Sequence, residues 1–425
     1  MALLLAGAAA LAGGTAGMLA GTEPFATWYY LFAWYPTLLM LDAAVALRGG
    51  RFFFLDRPAF LLSLMAWSVP FWLLFELFNF RLANWYYVFV PDGRAARWAG
   101  VTLSFATVLP AIFGAERLLD VCGVGGRGAG ALGRPSRTPI VRLTSARLTG
   151  IQAAGLAMLL LPLLWPRTFF PLVWGGVTLL ADPWVYRRDP GRSLLGDLER
   201  GEPGRPLRLL LGGMAIGLLW ELFNAGARGK WIYTVPGLED LKLFEMPLLG
   251  FFGFPVFALE AFSLYQALVV SLTGARLPVR LAVAALAAVF TTLVLLGMER
   301  ATFSSTTPRL ADLPGVPAAP LARAGYDVFA LAEAAPARVA AATGADLRHA
   351  GSWVETARLA ALRGIGDRNT ARLHAIGIRT LDDLAASDPS RLARRLGSAG
   401  GTGHPQRERE WVRAARDAAR DAADY

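Results

Sequence analysis

Two long apolar runs are interrupted by polar side chains at matched positions. In LLFELFNFRLANWYYVFVP, residues 73–91, Glu76 and Asn79 stand three apart, and in LLWELFNAGARGKWIYTVP, residues 218–236, so do Glu221 and Asn224. On a helix that spacing puts both groups on one face, so each copy would present a carboxyl group and an amide to the same surroundings. A charged side chain at the bilayer centre costs about 2.5–3.5 kcal/mol on insertion scales, so acids inside a membrane turn inward and are candidate functional groups. The chemistry they suit is acid–base catalysis: one carboxyl group donates a proton, and a second carboxylate or an asparagine positions water or takes a proton back. The competing reading is structural, with Glu and Asn hydrogen-bonding between helices for about 0.6–2 kcal/mol each.

The match extends beyond the motif. Each glutamate is followed at the same offset by a Val-Pro pair, Val90-Pro91 or Val235-Pro236. Asp42 precedes Glu76 as Asp182 precedes Glu221, each near a helix end and close to arginines, where interfacial salt bridges are expected. Glu116 follows Glu76 about as far as Glu260 follows Glu221, both expected late in a fourth helix. The candidate catalytic set is therefore Glu221, Glu76, Glu260, Glu116, Asn224 and Asn79. Trp85 and Tyr87 in the first copy, Trp231 and Tyr233 in the second, and Trp220 beside Glu221 are candidates for lining a hydrophobic substrate site, where ring faces stabilise a cation. Their commoner role is an interfacial aromatic belt.

These groups must be positioned by membrane helices. With 55% hydrophobic and 17% charged residues, the chain departs from soluble-globular averages and reads as polytopic. A span takes roughly 20 apolar residues, and runs near 2–20, 26–47, 59–80, 98–122, 151–165, 168–187, 207–225, 247–272 and 280–298 qualify. The first is kept as a helix because it lacks the basic start and small-residue cleavage site of a signal peptide. The expected fold is all-α: a bundle of about nine helices built from two parallel four-helix repeats plus one helix, followed by a small soluble helical domain. The divisions are a first repeat at 1–122, a Gly/Arg-rich linker at 123–148, a second repeat at 149–272, a ninth helix at 273–300, a linker and helical segment at 301–350, and a soluble domain at 351–425.

Charge location orients the bundle. The formal charge is +10, and arginines crowd the loops near 48–57, 117–147, 187–208 and 276–280, which the positive-inside rule makes cytoplasmic. An integral membrane location, the bacterial inner membrane, follows as the expectation. Nine spans then put the amino terminus inside and the tail outside. Cys122 is the only cysteine and the three histidines all follow residue 300, so no metal site or disulfide is expected in the membrane. No phosphate or dinucleotide loop appears in its required context, and no cofactor is expected.

The tail segment 359–396 has a helix, a Gly-Ile-Gly turn, a helix, a second Gly-Ile turn and a helix after Asp388-Pro389. It resembles a helix-hairpin-helix domain. In such modules the turn exposes amides that can bind phosphate, here Gly364 and Gly366 with Arg368 nearby. Arginines in 299–425 are nearly matched by acids, which argues against a nucleic-acid partner and for a protein partner. The end, REREWVRAARDAARDAADY, reads as a solvated helix of alternating charge.

The second half also resembles the small membrane lycopene cyclases of the heterodimeric or fused type. The residues that carry the likeness are Glu221, then Gly229-Lys230-Trp231-Ile232-Tyr233, then Phe244-Glu245-Met246-Pro247-Leu248-Leu249. Where those cyclases carry two adjacent glutamates after the proline, this sequence has Leu248 and Leu249, so Glu245, Glu260 or Glu221 would have to supply the acid. The resemblance implies cofactor-free acid catalysis on a polyene or prenyl lipid, by cyclisation or hydration. A carrier for a hydrophobic or proton-coupled solute and a non-catalytic scaffold whose tail recruits a partner are the readings from other classes.

Overall fold

The computed structural model describes residues 1–126, 139–236, 241–398 and 405–423. Most of the Gly/Arg-rich linker, 127–138, lies outside the described residues. The chain is helical but for a few short strands, and it divides into two compact units. The first comprises residues 1–82, 98–227 and 235–299; the second comprises 83–97, 228–234 and 300–425.

In the first unit the helices are α1 (Ala2–Leu19), α2 (Phe25–Gly49), α3 (Pro58–Leu82), α4 (Arg94–Phe105), α5 (Val108–Val121), α6 (Ser145–Leu164), α7 (Pro166–Phe169), α8 (Val173–Arg188), α9 (Leu194–Glu199), α10 (Gly204–Gly226), α11 (Gly253–Leu272) and α12 (Leu277–Ala301). Among the described residues, eight helices are long and apolar enough to cross a membrane. Helix α1 lies on α2 as α6 lies on α8; α2 meets α5 as α8 meets α11; α3 meets α5 as α10 meets α11; and α10 crosses α5. Small residues allow close approach. A Cβ at Gly155 of α6 would fall 2.8 Å from the amide nitrogen of Leu180 on α8.

Two of the long apolar runs are broken, each for a local reason. The run beginning at 98 divides at Ala106–Thr107, where Pro110 has no amide to offer the carbonyl four residues earlier. Ser68 on α3 bridges the gap, donating to the carbonyl of Phe105 and accepting from the amide of Leu109. The run at 168–187 becomes α7, a 3-10 turn at Phe170–Leu172 and α8, and it is not among the eight long apolar helices. Pro166 and Pro171 remove donors, and Gly175 adopts φ +102°, a conformation open mainly to glycine.

Among the described residues Asp42 and Asp182 form hydrogen bonds and not the expected salt bridges. Asp42 accepts from the amides of Phe53, Phe54 and Leu55 at 2.6–2.9 Å. Asp182 accepts from the Ser193 hydroxyl and the amides of Leu194 and Leu195 at 2.7–2.9 Å. In both cases the partners lie 11, 12 and 13 residues downstream, so each carboxylate closes the same kind of loop. A carboxylate accepts only, and the free amides of a loop supply several donors at once, which a single arginine on a flexible stem does not replace.

The second unit gathers the segments that follow the two ELFN helices. Strand β1 (Trp85–Val88) pairs antiparallel with β2 (Lys230–Tyr233), and each begins nine residues beyond its glutamate. The register sets Trp85 opposite Tyr233 and Tyr87 opposite Trp231. Residues 302–306 run parallel to the other edge of β1, with bridges from Tyr87 to Phe303 and from Val90 to Thr306. In the first unit a further two-residue pair, β3 (Lys242–Leu243) and β4 (Met246–Pro247), encloses Phe244 and Glu245.

The tail adds α13 (Ala318–Arg323), α14 (Val328–Glu333), α15 (Pro336–Thr343), α16 (Leu347–Ala361), α17 (Gly366–Ala375), α18 (Leu381–Ala385), α19 (Pro389–Ser398) and α20 (Pro405–Ala423). Leu321, Val328, Leu331, Val339 and Val354 form one core, and Leu359, Ile365, Leu373, Leu384 and Trp411 a second, so α16 serves both. Helix α20 is not the solvated helix its charges suggest. Trp411, Val412 and Ala415 fall on one helical face and are buried, while Glu410, also buried, takes Arg363 and Arg413 as partners.

Candidate functional site

The first unit buries Glu76, Glu221 and Glu260 together with a set of contacting aromatic rings. Glu76, Glu221, Glu260 and Asn224 have no exposure, and Asn79 has 2%. Glu76 and Asn79 share α3, Glu221 and Asn224 share α10, and Glu260 lies on α11. One turn before Glu76, the indole N–H of Trp72 donates to Glu76 Oε1 at 3.1 Å. The hydroxyl of Tyr30 on α2 donates to Asn224 Oδ1 at 2.6 Å, within electrostatic reach of both Glu221 and the buried Glu245.

Phe257 of α11 joins these groups. Its ring centroid lies 5.6 Å from Trp72, 5.3 Å from Phe75, 5.9 Å from Trp174 and 6.0 Å from Trp220. Phe75 and Trp220 are the residues immediately before the two glutamates, so the helices that carry Glu76 and Glu221 meet one aromatic cluster. Trp174 of α8 stacks on Phe75 at 5.2 Å, and Trp34 of α2 lies 5.6 Å from Trp220 and 5.4 Å from Phe223. Such pairs add about 0.5–1.5 kcal/mol beyond area burial and hold the rings in place.

Glu260 occupies the break in α8. Its Oε1 accepts from the amides of Gly175 at 2.7 Å and Val177 at 3.0 Å, which the non-helical Trp174–Gly175 step leaves free. Its Oε2 is buried with no hydrogen-bond partner among the described residues. Glu260 lies in the first half of α11, not late in its helix as the sequence suggested. Glu116 is placed differently again: near the end of α5, it pairs with Arg208 of α10 at 2.7 Å. The structure therefore buries Glu76, Asn79, Glu221, Asn224 and Glu260, joins Trp220 to the ring cluster around Phe257, and sets Glu116 in an ion pair.

Trp85, Tyr87, Trp231 and Tyr233 belong to the second unit, in the β1–β2 ladder. Sequence reasoning missed Tyr30, Trp72, Trp174 and Phe257. Signals for three of them were present. Trp72 stands one turn before Glu76 and Phe257 one turn before Glu260, while Trp174 precedes Asp182 by the same eight residues as Trp34 precedes Asp42. Nothing local marks Tyr30.

In the tail, the Gly-Ile-Gly turn faces its own chain. A Cβ at Gly364 would fall 2.1 Å from Val88 Cγ1, and one at Gly366 would fall 2.7 Å from Ser305 Cβ. Asn369 Nδ2 donates to the carbonyls of Ser304 at 3.2 Å and Ile365 at 2.8 Å. Arg363, at φ +44°, donates to buried Glu410, and exposed Arg368 lies 3.9 Å from Asp92. Burial, with a smaller effect of Arg379, holds the His374 imidazole below its ordinary value. Amide donors from Arg379 and Thr380 and the hydroxyl of Thr380 hold the Asp383 carboxyl below its own, in a capping box.

Comparison with the curated proteins and comparison with solved structures return no match for this chain. Residues 326–417, covering most of the tail, match the family described as Domain of unknown function (DUF4332).

Proposed function

We propose that this chain is an integral membrane protein that acts on an unsaturated prenyl or polyene lipid by cofactor-free acid catalysis. The observation that supports the reading is Phe257, whose ring lies 5.3 Å from Phe75 and 6.0 Å from Trp220, the residues immediately before Glu76 and Glu221. A carboxyl O–H breaks as a C–H bond forms on the substrate double bond, leaving a carboxylate and a carbocation. The ring faces of Phe257, Trp72 and Trp220 stabilise that cation. For a ring, a second double bond of the same chain attacks that cation, forming a C–C bond and a new cation, and a C–H beside the new cation gives its proton to a carboxylate; for an alcohol, water adds to the first cation and loses a proton to a carboxylate. Glu221 and Glu76 are the donor and acceptor, with Asn224 and Asn79 positioning water.

The bundle is read as two parallel four-helix repeats plus a ninth helix. The matched loop closures of Asp42 and Asp182 support this, as do the matched tryptophans Trp34 and Trp174 and the antiparallel pairing of β1 with β2. Helix α12 begins beside Arg276 and Arg280, so the positive-inside rule sets the tail on the opposite, non-cytoplasmic side. The strands that join the tail follow α3 and α10, which themselves begin next to arginines. A protein partner suits that side, and a nucleic acid does not.

The second reading, a scaffold with structural acids, is favoured by the Tyr30–Asn224 bond, which ties helices together. Expression in a lycopene-accumulating host separates the two. A new carotenoid formed by wild type and lost in both Glu221→Gln and Glu76→Gln is the result expected of the enzyme. An unchanged pigment profile, with the protein present in the membrane, favours the scaffold.

A further inference from the structure

Helix α12 is fastened at one end only. Near its carboxyl end Val294, Leu295 and Met298 are buried, a Cβ at Gly297 would fall 2.5 Å from the Phe80 ring, and the Trp98 indole donates to Glu299 at 2.8 Å. Its first half stands off the bundle, with Leu277, Leu281 and Leu286 exposed by 60–69%. The wedge between that half and α3, α5 and α11 is a groove of about 520 Å³, within the range of ligand sites.

None of its lining side chains is charged. Trp67 and Phe71 of α3, Leu109 of α5, Tyr265 and Leu268 of α11 and Phe290 of α12 form its walls. The Tyr265 hydroxyl is engaged with Ser63 Oγ at 3.2 Å. Phe71 belongs to two structures at once: it lines the groove, and its ring lies 5.4 Å from Phe75 and 5.3 Å from Phe257. The inner wall of the groove is thus an outer wall of the cluster around Glu76.

We propose that this groove holds the non-reacting length of a long unsaturated isoprenoid chain, taken sideways from the bilayer with its reacting end directed along Phe71 toward Glu76. The proposal rests on the acid-catalytic reading above and names where its substrate lies. An isoprenoid fits better than a saturated acyl chain because four aromatic side chains line the groove, and because it continues into a cluster suited to π systems and cations.

The test uses the full chain in nanodiscs, a diazirine-bearing geranylgeraniol and a diazirine-bearing diacyl phosphatidylcholine, with attachment sites mapped by peptide mass spectrometry. The isoprenoid probe is expected on groove-facing residues of α11 and α12, displaced by unlabelled geranylgeraniol. Ala287→Trp, which fills the groove, is expected to weaken labelling by about tenfold with the melting temperature retained; Leu293→Ala, on the exposed surface of α12 outside the groove lining, leaves labelling unchanged. Equal labelling by the phospholipid probe, undisplaced by geranylgeraniol, would mean ordinary bilayer lipid and overturn the proposal. So would absence of isoprenoid labelling in the groove. Groove labelling without pigment conversion sinks the catalytic reading alone, and conversion without groove labelling sinks the groove alone.

Discussion

The Tyr30 hydroxyl donates to Asn224 Oδ1 at 2.6 Å across 194 residues of sequence. It connects the second helix to the polar face of the second ELFN motif, in an interior where an exchanged water partner is scarce. Tyr30→Phe removes the donor and keeps the ring. The expected cost is about 1 kcal/mol of stability, read as a lower melting temperature in detergent, with the Asn224→Leu change non-additive to it.

Asp42 and Asp182 each hold three donors at the same offsets. Asp42→Ala and Asp182→Ala should each destabilise the bundle by roughly 2–4 kcal/mol, because buried loop donors lose a charged acceptor. Asn at either position keeps one acceptor oxygen and should cost less. Equal melting temperatures for the Ala variants and wild type would refute the loop-closing role.

At Gly364 two constraints coincide: φ is +73° and the missing Cβ would overlap Val88. Gly364→Ala is therefore expected to open the tail to proteolysis in the full chain. Adding Val88→Ala should recover part of the loss, the steric part, and leave the backbone part, a coupling a double-mutant cycle resolves. Complete independence of the two changes would contradict the contact.

His374 and Asp383 make the tail acid-sensitive. Both are held below their ordinary values in the folded state, so the unfolded chain binds their protons more tightly. The stability each contributes is complete above its unfolded value and is lost as pH falls through the folded one. For His374 the loss begins below about pH 6.5, and for Asp383 it lies below pH 3.8. Asp367, raised chiefly by burial, acts in the opposite sense, favouring the folded tail as pH falls. Pulse proteolysis of the full chain at pH 7.5 and 5.5 should show a less stable tail at 5.5, and His374→Asn should reduce the difference.

Much of the helical architecture was legible in the sequence because a bilayer tolerates few alternatives: a run of about 20 apolar residues has to satisfy its own backbone as a helix. The run at 168–187 escaped that rule. Its non-helical Trp174–Gly175 step frees backbone amides, and Glu260, 85 residues from Gly175, takes up two of them. The aspartates at 42 and 182 were visible as a matched pair, yet their partners were not, because backbone amides carry no sequence signature. Helix α20 was misread for a related reason: its charges dominate the pattern, while Glu410 is buried and paired with an arginine in a distant turn.

By itself the sequence determined the apolar helical runs, the repeated glutamate–asparagine face and the inward setting that membrane energetics demands of it. Only the tertiary structure decided which rings meet the helices that carry those acids. Phe257 meets Phe75 and Trp220 through helices far apart in the chain, and aromatic contact depends on helix crossing and rotation, which local periodicity does not encode.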